Sequence, residues 1–171
     1  MTGVRRAVVG DAPSLGVLAE RTFRDAFGAR NSPENLDLHC SNVFGAEIQR
    51  REIEDRGLIT TIAEAEHRMI GFSQLRPLHA HASVVAARPA ELKRLYVVTE
   101  WHGRGVGRKL MQDALDTAAQ EGCDVLWLGV WEHNPKAMAF YRRLGLEIVG
   151  THAFMLGQDR QRDLVMSIKV G

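Results

Sequence analysis

The sequence predicts an α/β fold: a mixed sheet of about six to seven strands with helices on both faces, in one domain spanning 1–171. Three observations carry this expectation. Glu91–Val98 reads as a strand, and a glycine-punctuated turn joins it to an amphipathic helix over Arg104–Glu121. Val125–Val130 is an apolar run suited to an interior strand. Asn134-Pro135 then opens another helix, which Gly145 ends. A chain of 171 residues suits a single hydrophobic core.

The remaining elements follow in order. Arg5–Val9 reads as a first strand. Asp11 has the place of a helix N-cap and Pro13 lies just inside, where its missing N–H costs nothing. Leu15, Leu18, Ala19, Thr22, Phe23 and Ala26 recur at helical spacing, so this helix runs to about Phe27. Ser32-Pro33 is a second start signal, and the helices after it break near Gly45 and end before Gly57. Leu58–Glu64 and Met69–Gln74 read as strands joined by a hairpin at Ala65–Arg68. Pro77–Pro89 is a poorly patterned connection. In the Arg104–Glu121 helix, Val106, Leu110, Ala114 and Ala118 lie four apart, as do Met111, Leu115 and Ala119, and Gly122 closes it. Strands near Glu147–Gly150 and Leu164–Lys169 complete the order βααββ-β-α-β-α-ββ.

Composition removes several classes of function. Lys and Arg total 22 against 21 Asp and Glu, a net charge of +1, which argues against a dedicated nucleic-acid binder. No apolar run approaches the roughly 20 residues that span a bilayer, so no membrane association is expected. The N-terminal apolar stretch is too short for a signal peptide, and a cytoplasmic protein is expected. Cys40 and Cys123 are far apart and lack neighbours at metal-ligand spacing, so they read as reduced thiols. On a strand, His79 and His81 would share a face, but no third ligand is suggested and no metal is expected.

The chemistry concentrates in His102-Gly103-Arg104-Gly105-Val106-Gly107-Arg108. Glycines at alternate positions let the backbone curl and approach a ligand. At a helix N-terminus such a turn binds phosphate oxygens through backbone amides and the helix dipole. Arg104, Arg108 and Lys109 add positive charge. The dinucleotide fingerprint is absent, because Arg108 stands where its third glycine would fall. The Gly-Lys-Ser/Thr of a P-loop is absent too.

Glu91–Val98, the glycine turn, the helix, the apolar strand and Asn134-Pro135-Lys136-Ala137-Met138-Ala139-Phe140-Tyr141 together resemble the GNAT acetyltransferase superfamily. Thr22–Phe27, Asn31–Asn35, Trp127–Asn134, Gly150–Phe154 and Gln161–Met166 resemble, more closely, bacterial PaiA-type polyamine acetyltransferases. Two departures are His102, where the family turn has Gln or Arg, and Leu146, where it usually has Phe.

The resemblance implies an N-acetyltransferase that uses acetyl-CoA as cosubstrate. Its acceptor would be a small-molecule primary amine such as spermidine or spermine, and the protein a monomer or homodimer. It assigns the cosubstrate to Leu95, Tyr96 and Val97, to the turn from His102 to Arg108, and to Asn134 and Lys136. It makes Tyr141 the general acid for the departing thiolate, since a phenol of pKa about 10 can share a proton with a thiol of about 8.5. Glu91 is the candidate base, alternatively a solvated or Lys93-paired carboxylate. Phe27, Asn31 and Glu34 are expected at the acceptor, with Asp25, Asp37 and Glu91 as further acids for a polycation. His102, His133 and His152 read as surface or hydrogen-bonded residues before they read as bases. A peptide or antibiotic amine, or a CoA-binding regulatory module without turnover, are the alternatives.

Overall fold

A computed structural model describes residues 1–171. Seven strands form one sheet in the order β1-β2-β3-β4-β5-β7-β6. They are β1 (Thr2–Arg6), β2 (Ile59–Ala65), β3 (Arg68–Arg76), β4 (Pro89–Val97), β5 (Val125–Trp131), β6 (Glu147–Leu156) and β7 (Asp159–Lys169). All neighbours are antiparallel except β4 and β5. Helices α1 (Ala12–Phe27), α2 (Pro33–Val43) and α3 (Ala46–Glu54) cover one face, and α4 (Val106–Gln120) with α5 (Pro135–Arg143) the other. The expected mixed α/β fold is therefore present. No helix is long and apolar enough to cross a membrane.

Several expected boundaries move, each for a physical reason. The first strand is Thr2–Arg6, not Arg5–Val9, because its partner β2 aligns Thr2 with Ala65 and Arg6 with Thr61. Asp11 does not cap α1 through its side chain. Its carboxylate instead accepts the Val8 N–H (2.8 Å) and pairs with Arg5 (2.7 Å), fixing the 3-10 turn Val9–Asp11. Helix α4 starts at Val106 instead of Arg104, since Gly103 and Gly105 have φ of +74° and +80°. The last two strands are far longer than Glu147–Gly150 and Leu164–Lys169. They form a long hairpin whose outer strand β6 alternates between exposed and half-buried residues, so the apolar signal that marks an interior strand is missing.

Two groups of buried side chains flank the sheet. Met111, Ala114, Ala118, Leu126, Leu128, Val130, Tyr141 and Met166 pack beneath α4 and α5. Phe23, Phe27, Phe44, Phe72 and Trp131 dominate the group under α1 and α2. Along β5, Leu126, Leu128 and Val130 join the first group and Trp131, on the opposite face, joins the second, as strand periodicity requires.

Candidate active site

Strands β4 and β5 part company halfway along. Their parallel register covers only Pro89–Glu91 against Val125–Trp127, although β4 runs on to Val97. Beyond Glu91 the β5-facing edge of β4 has no strand partner, while its other edge stays paired with Gly71–Ser73 of β3. Leu95, Tyr96 and Val97 therefore carry unpaired backbone groups into a wedge, where an extended amide-bearing ligand can complete the ladder. A bulge accompanies the divergence: Gln74 and Leu75 of β3 face Arg94 and Leu92, leaving Lys93 extra. Glu52 of α3 anchors it, binding Lys93 Nζ (3.0 Å) and Arg94 Nη1 (2.7 Å).

The glycine turn closes one end of the wedge. A Cβ on Gly103 or Gly105 would meet nothing within 4 Å, so their left-handed φ is what demands glycine, and the space above them is open. Gly105 offers no side-chain cap, and the first-turn N–H groups of Val106, Gly107 and Arg108 have no intrahelical acceptor. This fits a pyrophosphate. Gly107 also has a packing role, since a Cβ there would lie 3.3 Å from Phe140 of α5. Arg104 lies over Trp101 at 5.0 Å, and exposed Arg108 and Lys136 add positive charge. Lys109, expected near the turn, is tied instead to Thr2 of β1 (2.6 and 2.9 Å). The His102 ring donates to the Val97 carbonyl at 2.8 Å, so this departure from the family motif locks the end of β4 to the turn.

Helix α5 places Tyr141 in the buried layer, 8% exposed. Asn134 caps that helix by accepting the Ala137 N–H (3.1 Å), as expected. Burial raises the Tyr141 phenol well above its ordinary pKa, with Tyr96 adding to the effect. Burial likewise pushes Tyr96 up to about 12, with Asp163 adding to it against the opposing pull of Arg94. Both phenols thus keep their protons near neutral pH.

On the α1 face, aromatic rings bridge the wedge. Phe23 approaches Tyr96 of β4 (6.5 Å between centroids) and stacks on Phe27 (4.3 Å), which meets Trp131 of β5 (5.1 Å). Phe27, expected at the acceptor, lies among these rings. Asn31 donates to the Phe27 carbonyl (2.7 Å) and accepts from Gln161 (2.5 Å), so it holds α1 to β7. Glu34 is exposed in the first turn of α2. The candidate acids are committed separately: Asp37 to Arg24, Asp25 to Thr99, and Glu91 to Arg76 (3.2 Å) with His79 3.6 Å away. Lys93, the alternative partner considered for Glu91, turns to Glu52. An open cleft of ≈ 1010 Å³ adjoins, lined by Trp131, His152 and Gln161, by the acids Glu132 and Asp159, and by Arg30, Arg160 and Arg162.

The connection between β3 and β4 is not a strand, yet it is ordered. Its end is held by Asp124, which accepts the Ala87 and Arg88 N–H groups (2.8 and 2.9 Å). Trp127 Nε1 donates to the His79 carbonyl (2.8 Å), and the rings of His79 and His81 lie 6.2 and 4.9 Å from the Trp127 ring. His81 lies 5.3 Å from His152, whose Nε2 is 3.5 Å from Asp163 Oδ2. No group of three or more His, Cys, Asp or Glu is arranged to hold a metal ion. Sequence reading gave Trp131 and Asp163 no role: both fall in segments that carry the family resemblance, but Asp163 lies just outside the expected strand Leu164–Lys169.

These features are those of an acyltransferase. The sequence profile of the Acetyltransferase (GNAT) family matches residues 19–146. An uncharacterized N-acetyltransferase of Lactobacillus delbrueckii subsp. lactis is 32% identical, over 97% of both chains. The thialysine N-epsilon-acetyltransferase of Bos taurus is 34% identical over 73% of this chain and 91% of that protein. The crystal structure of PaiA N-acetyltransferase from Thermoplasma acidophilum in complex with coenzyme A superposes with a TM-score of 0.80, covering 99% of each chain at 21% identity. The chain belongs to the GNAT acetyltransferase family and is an acetyltransferase enzyme.

Proposed function

We propose that this protein transfers acetyl from acetyl-CoA to a primary amine on a small alkyl molecule. The observation that carries the reading is the wedge between β4 and β5, opening beside an uncapped glycine-initiated helix. The first turn of α4 holds the pyrophosphate, and the free edge of Leu95–Val97 pairs with the amides of the pantetheine arm. A backbone N–H of that edge polarises the thioester carbonyl, as an oxyanion donor does. Tyr141 keeps its proton until the thiolate departs, then supplies it.

The acceptor class draws on two likenesses. The PaiA-like segments of the sequence suggest a polyamine, and the thialysine acetyltransferase suggests the ω-amine of an amino acid. Both are primary alkylamines. The aromatic rings on the acceptor face suit an alkyl chain and attract an ammonium through their faces.

The test is free-thiol release from acetyl-CoA with spermidine, S-(2-aminoethyl)cysteine, a lysine-containing peptide and an aminoglycoside. Release with either of the first two is expected. Release with the peptide alone would replace the small acceptor by a protein, and tight acetyl-CoA binding without release would leave a CoA-binding module.

A further inference from the structure

The wedge has a proton donor in Tyr141, but the proton the acceptor must lose needs a recipient. Glu91 stands where β4 and β5 are still paired, and Arg76 holds its carboxylate at 3.2 Å. A second pair lies on the same face. His152 of β6 and Asp163 of β7 are register partners, with Nε2 3.5 Å from Oδ2. They pack directly over Gly129 of β5: a Cβ there would lie 2.9 Å from His152 Nε2 and 3.1 Å from Asp163 Oδ2. Gly129 is two residues past Trp127, where β5 has left β4. The pair therefore covers the β5 lip of the wedge, and the same imidazole lines the ≈ 1010 Å³ cleft. Asp163 is 8% exposed, and its buried Oδ1 has no partner within the protein.

We propose that His152 is the general base that takes the proton from the acceptor amine, and that Asp163 is its positioning residue. This rests on the acetyl transfer proposed above. With Nε2 turned to the carboxylate, Nδ1 is the nitrogen that receives the proton. The ammonium gives one proton to Nδ1, and the freed lone pair attacks the acetyl carbon. The new N–C bond forms, the C–S bond breaks, and the thiolate takes the Tyr141 proton. The second amine proton returns to Tyr141, and His152 releases its own to water. A buried carboxylate behind an imidazole fixes its orientation and stabilises the imidazolium.

The surroundings of the ring agree. The charged and titratable groups facing it are Asp163 on β7, Glu91 on β4, and His81 from the β3–β4 connection. His81 is neutral, accepting the Ser83 N–H at Nδ1 (3.1 Å) while burial lowers its pKa. The Asp163 contact raises His152 above its ordinary value, against a smaller opposing effect of burial, and Glu91 adds to the rise. A rise of that sign strengthens the imidazole as a proton acceptor.

The experiment measures kcat against pH at saturating acetyl-CoA, with the amine the wild type uses fastest, for His152→Gln, Asp163→Asn and Glu91→Gln. Acetyl-CoA affinity and thermal unfolding report on the fold. The expected result for His152→Gln is a fall in kcat on the order of 100-fold or more, loss of the acidic limb, and unchanged acetyl-CoA affinity. Asp163→Asn should move that limb to lower pH, and Glu91→Gln should retain it with a smaller shift in the same direction. An intact limb in His152→Gln, or one abolished by Glu91→Gln instead, would overturn the assignment. If His152→Gln does not fold, a limb unmoved in Asp163→Asn overturns it equally. A wild type silent with every amine would remove the acetyl transfer itself, and the base with it.

Discussion

The two sides of the wedge are built from different materials. The α4–α5 side presents backbone: the glycine turn, the uncapped first turn of α4 and the free edge of β4, set on an aliphatic layer of Met111, Ala114, Leu126 and Leu128. The α1 side presents side chains: Phe23, Phe27, Tyr96, Trp131, His152 and Asp163, drawn from five elements. Backbone groups suit a ligand whose phosphates and amides never vary. Side chains suit one that differs between relatives, since they can be exchanged without altering the fold.

The contrast can be broken at several points. The largest expected effect on turnover is at Tyr141. Tyr141→Phe should lower kcat on the order of 100-fold or more while leaving the acetyl-CoA dissociation constant near wild type, measured by stopped turnover and calorimetry. Next comes the backbone cradle. Gly105→Val forces a β-branched residue to φ of +80°, a strain of about 1–3 kcal/mol. Acetyl-CoA binding should weaken by about ten-fold for each 1.4 kcal/mol met by moving the turn. kcat at saturation should change less, the reverse of the tyrosine variant.

A smaller effect is on stability. Burial pushes the Glu52 carboxyl up, but Arg94, Gln74 and Lys93 together outweigh it and hold its pKa below the usual value. Glu52→Gln should cost on the order of 2–3 kcal/mol at neutral pH by stranding two cations at the β4 bulge. Because the folded pKa is depressed, the carboxylate's contribution is present above the unfolded value of about 4.3 and fades as pH falls through the folded one. Thermal melts of wild type and variant should therefore converge on acidification. The smallest effect belongs to Glu34. It is exposed, so Glu34→Gln should shift stability by less than about 0.5 kcal/mol and leave the KM for spermidine unchanged. A large rise in that KM would restore the acid-lined acceptor site expected from sequence.

Legibility followed the same divide. Gly103, Gly105 and Asn134 were readable because each role is local: a positive φ, an open turn, a cap three residues from its donor. The helix face of Tyr141 was readable from its period. His152 was visible only as a lone histidine, and nothing near it in sequence marks Asp163, eleven residues on across a hairpin. The stretch around His79 and His81 lacked a pattern because its order comes from Trp127 and Asp124, far along the chain.

By itself the sequence determined the α/β order, the amphipathic faces, the glycine turn and the family. These depend on residues within a few positions of one another, where backbone sterics and hydrophobic period act. Only the tertiary structure decided where β4 and β5 separate, that Arg76 engages Glu91, and that His152 meets Asp163 over Gly129. Those outcomes depend on strand register, which brings together side chains that no local pattern relates.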